Sequence, residues 1–205
     1  MAKRKISNPL ALAVLGCLYE RPMHPYEMAM TLRNRAKQES IKLNYGSLYS
    51  VVESLERRGW IVSRETEREG RRPERTVYAL TKSGEVEFFD WLSELLGVPV
   101  KEYTQFEAGL SFMAALPPDA VVRLLRERSD LLADEIKQMN EYGAMVSDAV
   151  LPRLFRVESE YWQMLREAEL KWVKQLADEI ENKELSGIDQ WAEFVEQLSQ
   201  QERSE

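Results

Sequence analysis

The 205-residue sequence predicts a mainly α protein: a run of helices broken once by a short β-hairpin, with a long helical pair in the C-terminal half. Three observations carry this expectation. Apolar residues recur at helical spacing through residues 8–57 and again through 119–182. Between these regions the period falls to two, over "WIVSRETE" and "RTVYALT". The segment joining those two stretches, "REGRRPE", holds a glycine, a proline and the arginines Arg68, Arg71 and Arg72, which reads as a turn with a basic tip.

Taken in order, Asn8 is placed to cap a first helix that has Pro9 at its opening position and ends near Glu20, before "RPMHP". Leu10, Val14, Leu15 and Leu18 form its apolar stripe. Pro25 opens a second helix, "PYEMAMTLRNRAK", with Tyr26, Met30 and Leu32 expected inward. A polar connection around Lys42 and Asn44 leads to "NYGSLYSVVESLERRGWI", where Leu48, Val51, Val52 and Leu55 share one face and Gly59 ends the helix. The hairpin follows, and then "TKSGEVEFFDWLSELLG", a helix capped by Thr81 or Ser83. Three helices, strand, turn and strand within about eighty residues is the order of a winged helix-turn-helix. The expected division is residues 1–96 for this unit with its linking helix and 97–205 for the rest.

In the second part, Val122, Leu125, Ser129, Leu132, Ile136, Met139, Gly143, Val146 and Val150 alternate spacings of three and four, a seam suited to another helix. Pro152 ends that run. The following helix carries Leu154, Tyr161, Leu165, Ala168, Trp172 and Leu176. Helices at about 119–150 and 153–182, joined by a tight break, predict an antiparallel hairpin. Ile188, Trp191, Phe194 and Leu198 suggest a short docking helix at the end.

The charge is unevenly spread. Residues 1–75 hold fifteen Lys/Arg against nine Asp/Glu, a balance of +6, within a chain whose net charge is −7. A basic module that meets a polyanion, followed by an acidic one that does not, fits this asymmetry. No run of about 18 apolar residues is present, so no helix is expected to cross a membrane. The single cysteine, Cys17, excludes an internal disulfide and suits the cytoplasm. "KRKISNPLALAVLGC" imitates a lipoprotein signal, but its apolar run is short and continues in helical register past the cysteine, so Cys17 is expected to be buried and inert. One histidine, His24, and the lack of HExxH, P-loop, GxSxG or CxxC patterns argue against an enzyme and against a metal or other cofactor.

In a helix-turn-helix the second helix of the motif enters the major groove with its N-terminal residues at the base edges. Small hydroxyls and amides at that end let the backbone approach phosphate, and the helix dipole favours the anion. Lys42, Asn44, Tyr45, Ser47, Tyr49 and Ser50 are therefore the expected DNA-facing residues of the third helix and its approach. Arg68, Arg71 and Arg72 are expected to reach the flanking backbone or a narrow minor groove. Arg57 and Arg58 lie at the far end, where they offset the helix dipole instead.

"PLALAVLGCLYERPMHPYEM", "GSLYSVVESLERRGWI" and "GRRPERTVYALTKSGE" together resemble the PadR family of bacterial and archaeal transcriptional regulators. The likeness covers roughly residues 8–92 and departs from the usual pattern at Pro25 and Trp60. The resemblance implies a homodimer that binds double-stranded operator DNA, usually as a repressor. By length and helical pattern the second half resembles the longer subgroup, which includes phenolic-acid-responsive regulators. Leu125, Leu132, Ile136, Met139, Leu165 and Trp172 are the expected dimerisation residues. Trp91, Phe106, Phe112 and Trp162 are the candidate walls of a pocket for a small aromatic effector. The competing expectation is a dimeric winged helix that binds protein and has no specific DNA partner.

Overall fold

The computed structural model describes residues 8–67, 75–145 and 151–202. The chain divides into two units, Met1–Lys101 and Glu102–Glu205. The first is a winged helix-turn-helix with a two-stranded antiparallel wing and a helix after it. The second is built of helices.

In the first unit, α1 (Pro9–Glu20) begins where the Asn8 side chain accepts the backbone N–H of Leu10 at 3.0 Å, with Pro9 in the first turn. Leu10, Ala11, Val14, Leu15, Cys17 and Leu18 are all buried, since α1 is surrounded by α2 (Pro25–Asn34), α3 (Tyr45–Arg57), β2 (Arg75–Leu80) and α4 (Lys82–Gly97). Burial pushes the Cys17 thiol up to about 11, with the Glu20 carboxylate adding to the effect, so the reactive thiolate is suppressed.

α2 presents Met28, Ala29 and Leu32 to the core. Leu32 is buried as the spacing predicts, whereas Tyr26 is exposed and Met30 half-buried, and Met28 and Ala29 take the inward places. The buried set follows the i, i+1, i+4 pattern set by Met28; Tyr26 lies in the first turn, beside α3 instead of beneath it. α3 buries Leu48, Val52 and Leu55, as its spacing predicts. Each such side chain contributes about 1.5–3 kcal/mol when fully buried.

Gly59 ends α3 in the left-handed region, at φ +72°, with its N–H donating to Glu56 O (2.8 Å) and the Trp60 N–H to Leu55 O (3.1 Å). These two bonds form a Schellman close, which a side chain at Gly59 would strain. The chain then enters β1 (Ile61–Glu67), paired with β2 so that Ile61 faces Leu80 and Arg64 faces Val77, with an irregularity between Arg64 and Glu67. Met23 adds a short third segment, exchanging two backbone hydrogen bonds of 3.1 Å with Tyr78.

Where α4 begins, the Thr81 hydroxyl accepts the Gly84 N–H at 3.1 Å and lies 2.7 and 3.0 Å from the Gly59 and Trp60 carbonyls. Gly84 sits so close that a Cβ there would come within 1.9 Å of Trp60 O.

The second unit holds α5 (Gln105–Ser111), a 3-10 turn at Met113–Ala115, and α6 (Pro118–Met145). A second 3-10 turn at Arg153–Phe155 precedes α7 (Val157–Glu181), and α8 (Ile188–Glu202) follows. α6 and α7 run antiparallel. Arg126 meets Asp178 and Glu181, Glu135 meets Arg166, and Asn140 meets Gln163, so the partners descend α7 as they climb α6. The core between them is Val121, Leu125, Val173, Leu176, Ala177 and Ile180, closed by Ile188 and Trp191 of α8. Trp191 Nε1 donates to Leu116 O at 2.9 Å, which fixes the docked helix.

Two details differ from the sequence expectation. The second long helix starts at Val157, and Leu154 stands exposed in the preceding turn, because Pro152 and the turn after it delay the first helical hydrogen bond. Phe194 is exposed, and Val195 takes the inward place after Trp191. Val146 and Val150 lie outside the described residues, as do Arg68, Arg71 and Arg72.

Gly84→Ala is expected to lower stability by about 1–3 kcal/mol, the scale of a forced overpacking, despite alanine's better helix propensity. Gly97→Ala, at a glycine of the same helix with nothing within 4 Å, should be neutral or slightly stabilising. Urea unfolding of the two variants checks the contrast.

Candidate nucleic-acid interface

The candidate surface is the start and outer face of α3. Asn44 is its cap: the side-chain oxygen accepts the Gly46 N–H at 2.9 Å, so this residue builds the helix N-terminus besides facing solvent. Gly46 and Ser47 are exposed in the first turn. The Ser50 hydroxyl donates to Gly46 O at 3.1 Å, one turn back, and keeps its lone pairs for accepting. Tyr49 is 45% exposed, on the flank of the helix between the buried stripe and the outer face. Lys42 is exposed on the approach.

Tyr45 is placed differently. Its ring is half-buried against the core and stacks on Tyr26 of α2, with centroids 6.4 Å apart and planes 15° from parallel. Its hydroxyl accepts from Arg33 Nη1 at 2.9 Å, and the Arg33 guanidinium lies 4.6 Å from the ring centroid. Tyr45 thus joins α3 to α2 at the point where the two helices meet. Arg33 had no signal in the sequence beyond being a basic residue on a helix, since its partner is twelve residues away.

Several other charged groups of the first unit are engaged in ion pairs. Arg21 pairs with Glu27, Arg35 with Glu20, and Lys82 with Glu85. The Arg35 guanidinium holds the Glu20 carboxyl below its ordinary range. Glu56 accepts the Ser63 N–H at 3.1 Å, which ties α3 to β1. Arg58 lies over the Trp60 ring at 5.4 Å, beside the helix end. Burial first, then the Glu56 and Glu53 carboxylates, raise the Tyr78 phenol above its usual range, so it remains a neutral hydrogen-bonding group.

The residues suggested for an effector pocket fall in both units. Trp91 is committed to the apolar core of the first unit. In the second, Phe106 lies under the Arg128 guanidinium at 3.8 Å and edge-on to Trp172. Phe112 is 77% exposed, and Trp162 lies beneath Arg166 at 4.8 Å. Of the suggested dimerisation residues, Leu125 and Leu132 are buried within one chain's own second unit. Their side chains are already covered by this chain's own residues. Ile136 and Met139 are half-buried. Leu165 and Trp172 are 44% and 46% exposed.

Comparison with known proteins gives a consistent picture. Residues 14–90 match the model of the transcriptional regulator PadR-like family. Among solved structures, Bacillus subtilis PadR in complex with operator DNA is similar with a TM-score of 0.65 at 19% identity, covering 84% of this chain and 99% of that one. The same Bacillus subtilis protein in complex with p-coumaric acid gives 0.64 at 17%, covering 84% and 98%. The Vibrio cholerae virulence activator AphA gives 0.63 at 18%, covering 85% and 99%. No curated protein matches the sequence. At these identities the structural likeness is one of fold.

Tyr49→Ala is expected to weaken DNA binding by about 1–3 kcal/mol, the scale of one lost contact, with little change in melting temperature. Leu55→Ala should instead cost about 2–5 kcal/mol of folding stability and lose DNA only as the protein unfolds. Thermal melts and binding titrations on both variants separate reading from holding; a Tyr49→Ala protein that melts early yet binds normally would place Tyr49 in the core.

Proposed function

We propose that this chain, whose residues 14–90 match the model of the transcriptional regulator PadR-like family, is a homodimeric, sequence-specific repressor that binds operator DNA. The observation that carries this reading is the division of α3 into two faces. Leu48, Val52 and Leu55 are spent on the core, while Gly46, Ser47 and Ser50 stand exposed at the N-terminal end with Tyr49 beside them. A helix that served only to close the core would have no need of small hydrogen-bonding groups at its entrance. The +6 balance of residues 1–75 supplies the long-range attraction to phosphate.

Dimerisation is supported by the apolar surface of the second unit. Leu131, Tyr142, Met145, Leu154, Tyr161 and Leu165 are large and exposed in one chain. Apolar surface on this scale marks an interaction site, and a second copy of the chain is the simplest partner because isologous contact needs no other gene product. Two aligned reading heads also match a two-fold operator. The likeness to Bacillus subtilis PadR in complex with p-coumaric acid supports a small aromatic acid as the proposed effector class, acting in the cytoplasm to relieve repression.

Selection from a random double-stranded library with the full chain is expected to enrich an inverted repeat with half-sites about one helical turn apart. Its log affinity should fall steeply and linearly with log salt. A library that returns no motif, with a flat salt dependence, would favour a winged helix that binds protein.

The interface has its own test in sedimentation. Leu165→Asp should yield a helical monomer with weakened operator binding, whereas Leu132→Asp, at a site 4% exposed, should unfold the second unit. A Leu165→Asp protein that remains dimeric would move the interface elsewhere.

A further inference from the structure

Arg33 stands out among the cations of the first unit for what holds it. Two other arginines of the same unit, Arg21 and Arg35, are tied to the carboxylates of Glu27 and Glu20. Arg33 is exposed and, among the described residues, is held by a neutral ring. Tyr45 takes one N–H of the guanidinium at 2.9 Å on its hydroxyl and presents its face 4.6 Å from the guanidinium carbon. Tyr26 backs the same ring from the other end of α2. Residues 26 and 33 are seven apart and share one face of that helix, so a single tyrosine from α3 is gripped by both. The guanidinium is thereby oriented without a carboxylate partner among the described residues.

That combination is suited to an anion. A carboxylate partner would cancel the charge, whereas an aromatic partner fixes the planar group and leaves the rest of its donor fork open. The group sits where α2 meets Tyr45, the first residue of α3, the helix whose first turn carries exposed Ser47 and whose approach carries exposed Lys42. We propose that Arg33, oriented by Tyr45, is a phosphate-binding residue of the DNA interface, with Tyr45 acting as its positioning residue. The inference rests on the DNA-binding reading above. It also reassigns Tyr45, whose ring serves the arginine and the helix junction and makes no base contact.

The test uses the full chain and its selected operator, titrated by fluorescence anisotropy at several salt concentrations. Arg33→Ala should bind several-fold more weakly, with the slope of log affinity against log salt reduced by about one and the base preference unchanged. Arg33→Lys should keep the wild-type slope and lose part of the affinity, because an ammonium neither stacks nor forks in the same way. Tyr45→Phe, which retains the ring and loses the hydrogen bond, should also keep the slope while weakening binding. Arg33 is exposed, so its variants should melt like the wild type. An unchanged slope in Arg33→Ala would overturn the inference and leave the pair as a brace between helices. A changed base preference would overturn it in favour of base reading. Absence of salt-dependent operator binding in the wild type would remove the DNA-binding reading itself, and this inference with it.

Discussion

The Thr81 side chain and the bare backbone of Gly84 meet the chain where it leaves α3. Thr81 caps α4 by accepting the Gly84 N–H and lies within hydrogen-bonding distance of the carbonyls of Gly59 and Trp60; its own N–H donates to Trp60 O at 3.0 Å, and Ser83 donates to Gly59 O at 3.0 Å. Four element ends are joined at this place: the end of α3, the start of β1, the end of β2 and the start of α4. A Cβ at Gly84 would occupy the space of Trp60 O. The angle between the third helix and the wing is therefore set by backbone contact, which is far stiffer than contact between side chains. Both the third helix and the wing, the two parts of the proposed DNA-reading surface, join at that junction.

The third helix is consequently free to differ on its two faces. Its inner stripe is closed in the core, and Glu56 is bound to the strand that follows. Its entrance is capped by Asn44 and braced through Tyr45 to α2. Charge in the first unit is sorted in the same way. Arg21 and Arg35 are consumed in exposed pairs, each worth little to stability, while Arg33 is held by the Tyr45 ring and hydroxyl and Lys42 is exposed on the approach to the helix. Net charge alone would not reveal this sorting, since paired and unpaired arginines count equally.

In the second unit the same apolar richness serves two purposes. Val173, Leu176, Ala177 and Ile180 face α6 and α8, and Tyr161, Leu165 and Trp172 lie toward solvent. The ion pairs along α6 and α7, such as Arg126 with Asp178 and Glu181, set the alignment of the two helices more than their stability, because they are largely exposed. Arg128 and Arg166 converge on Glu169, with Arg128 also covering Phe106. That cluster closes the apolar seam at its side.

Much of this was written in the sequence. The winged order of elements, the Asn8 and Thr81 caps, the close at Gly59, the burial of Leu48, Val52 and Leu55 and the burial of Cys17 all follow from local rules, in which a residue's partners lie within one turn or one strand register. The PadR likeness rests on the same local patterns. What the sequence left open involves partners far apart in the chain. Tyr26 lies outside the core of α2 and meets an aromatic neighbour on α3 that no periodicity reveals. Leu125 and Leu132 were indistinguishable from interface residues, since a seam of threes and fours has the same spacing whether the helix it meets is in its own chain or another. Arg33 and Tyr45 became a pair only when α2 and α3 were brought together. Helical periodicity fixes which residues share a face; only the tertiary structure decides what that face meets, because the choice depends on the packing of elements whose contacts are not local.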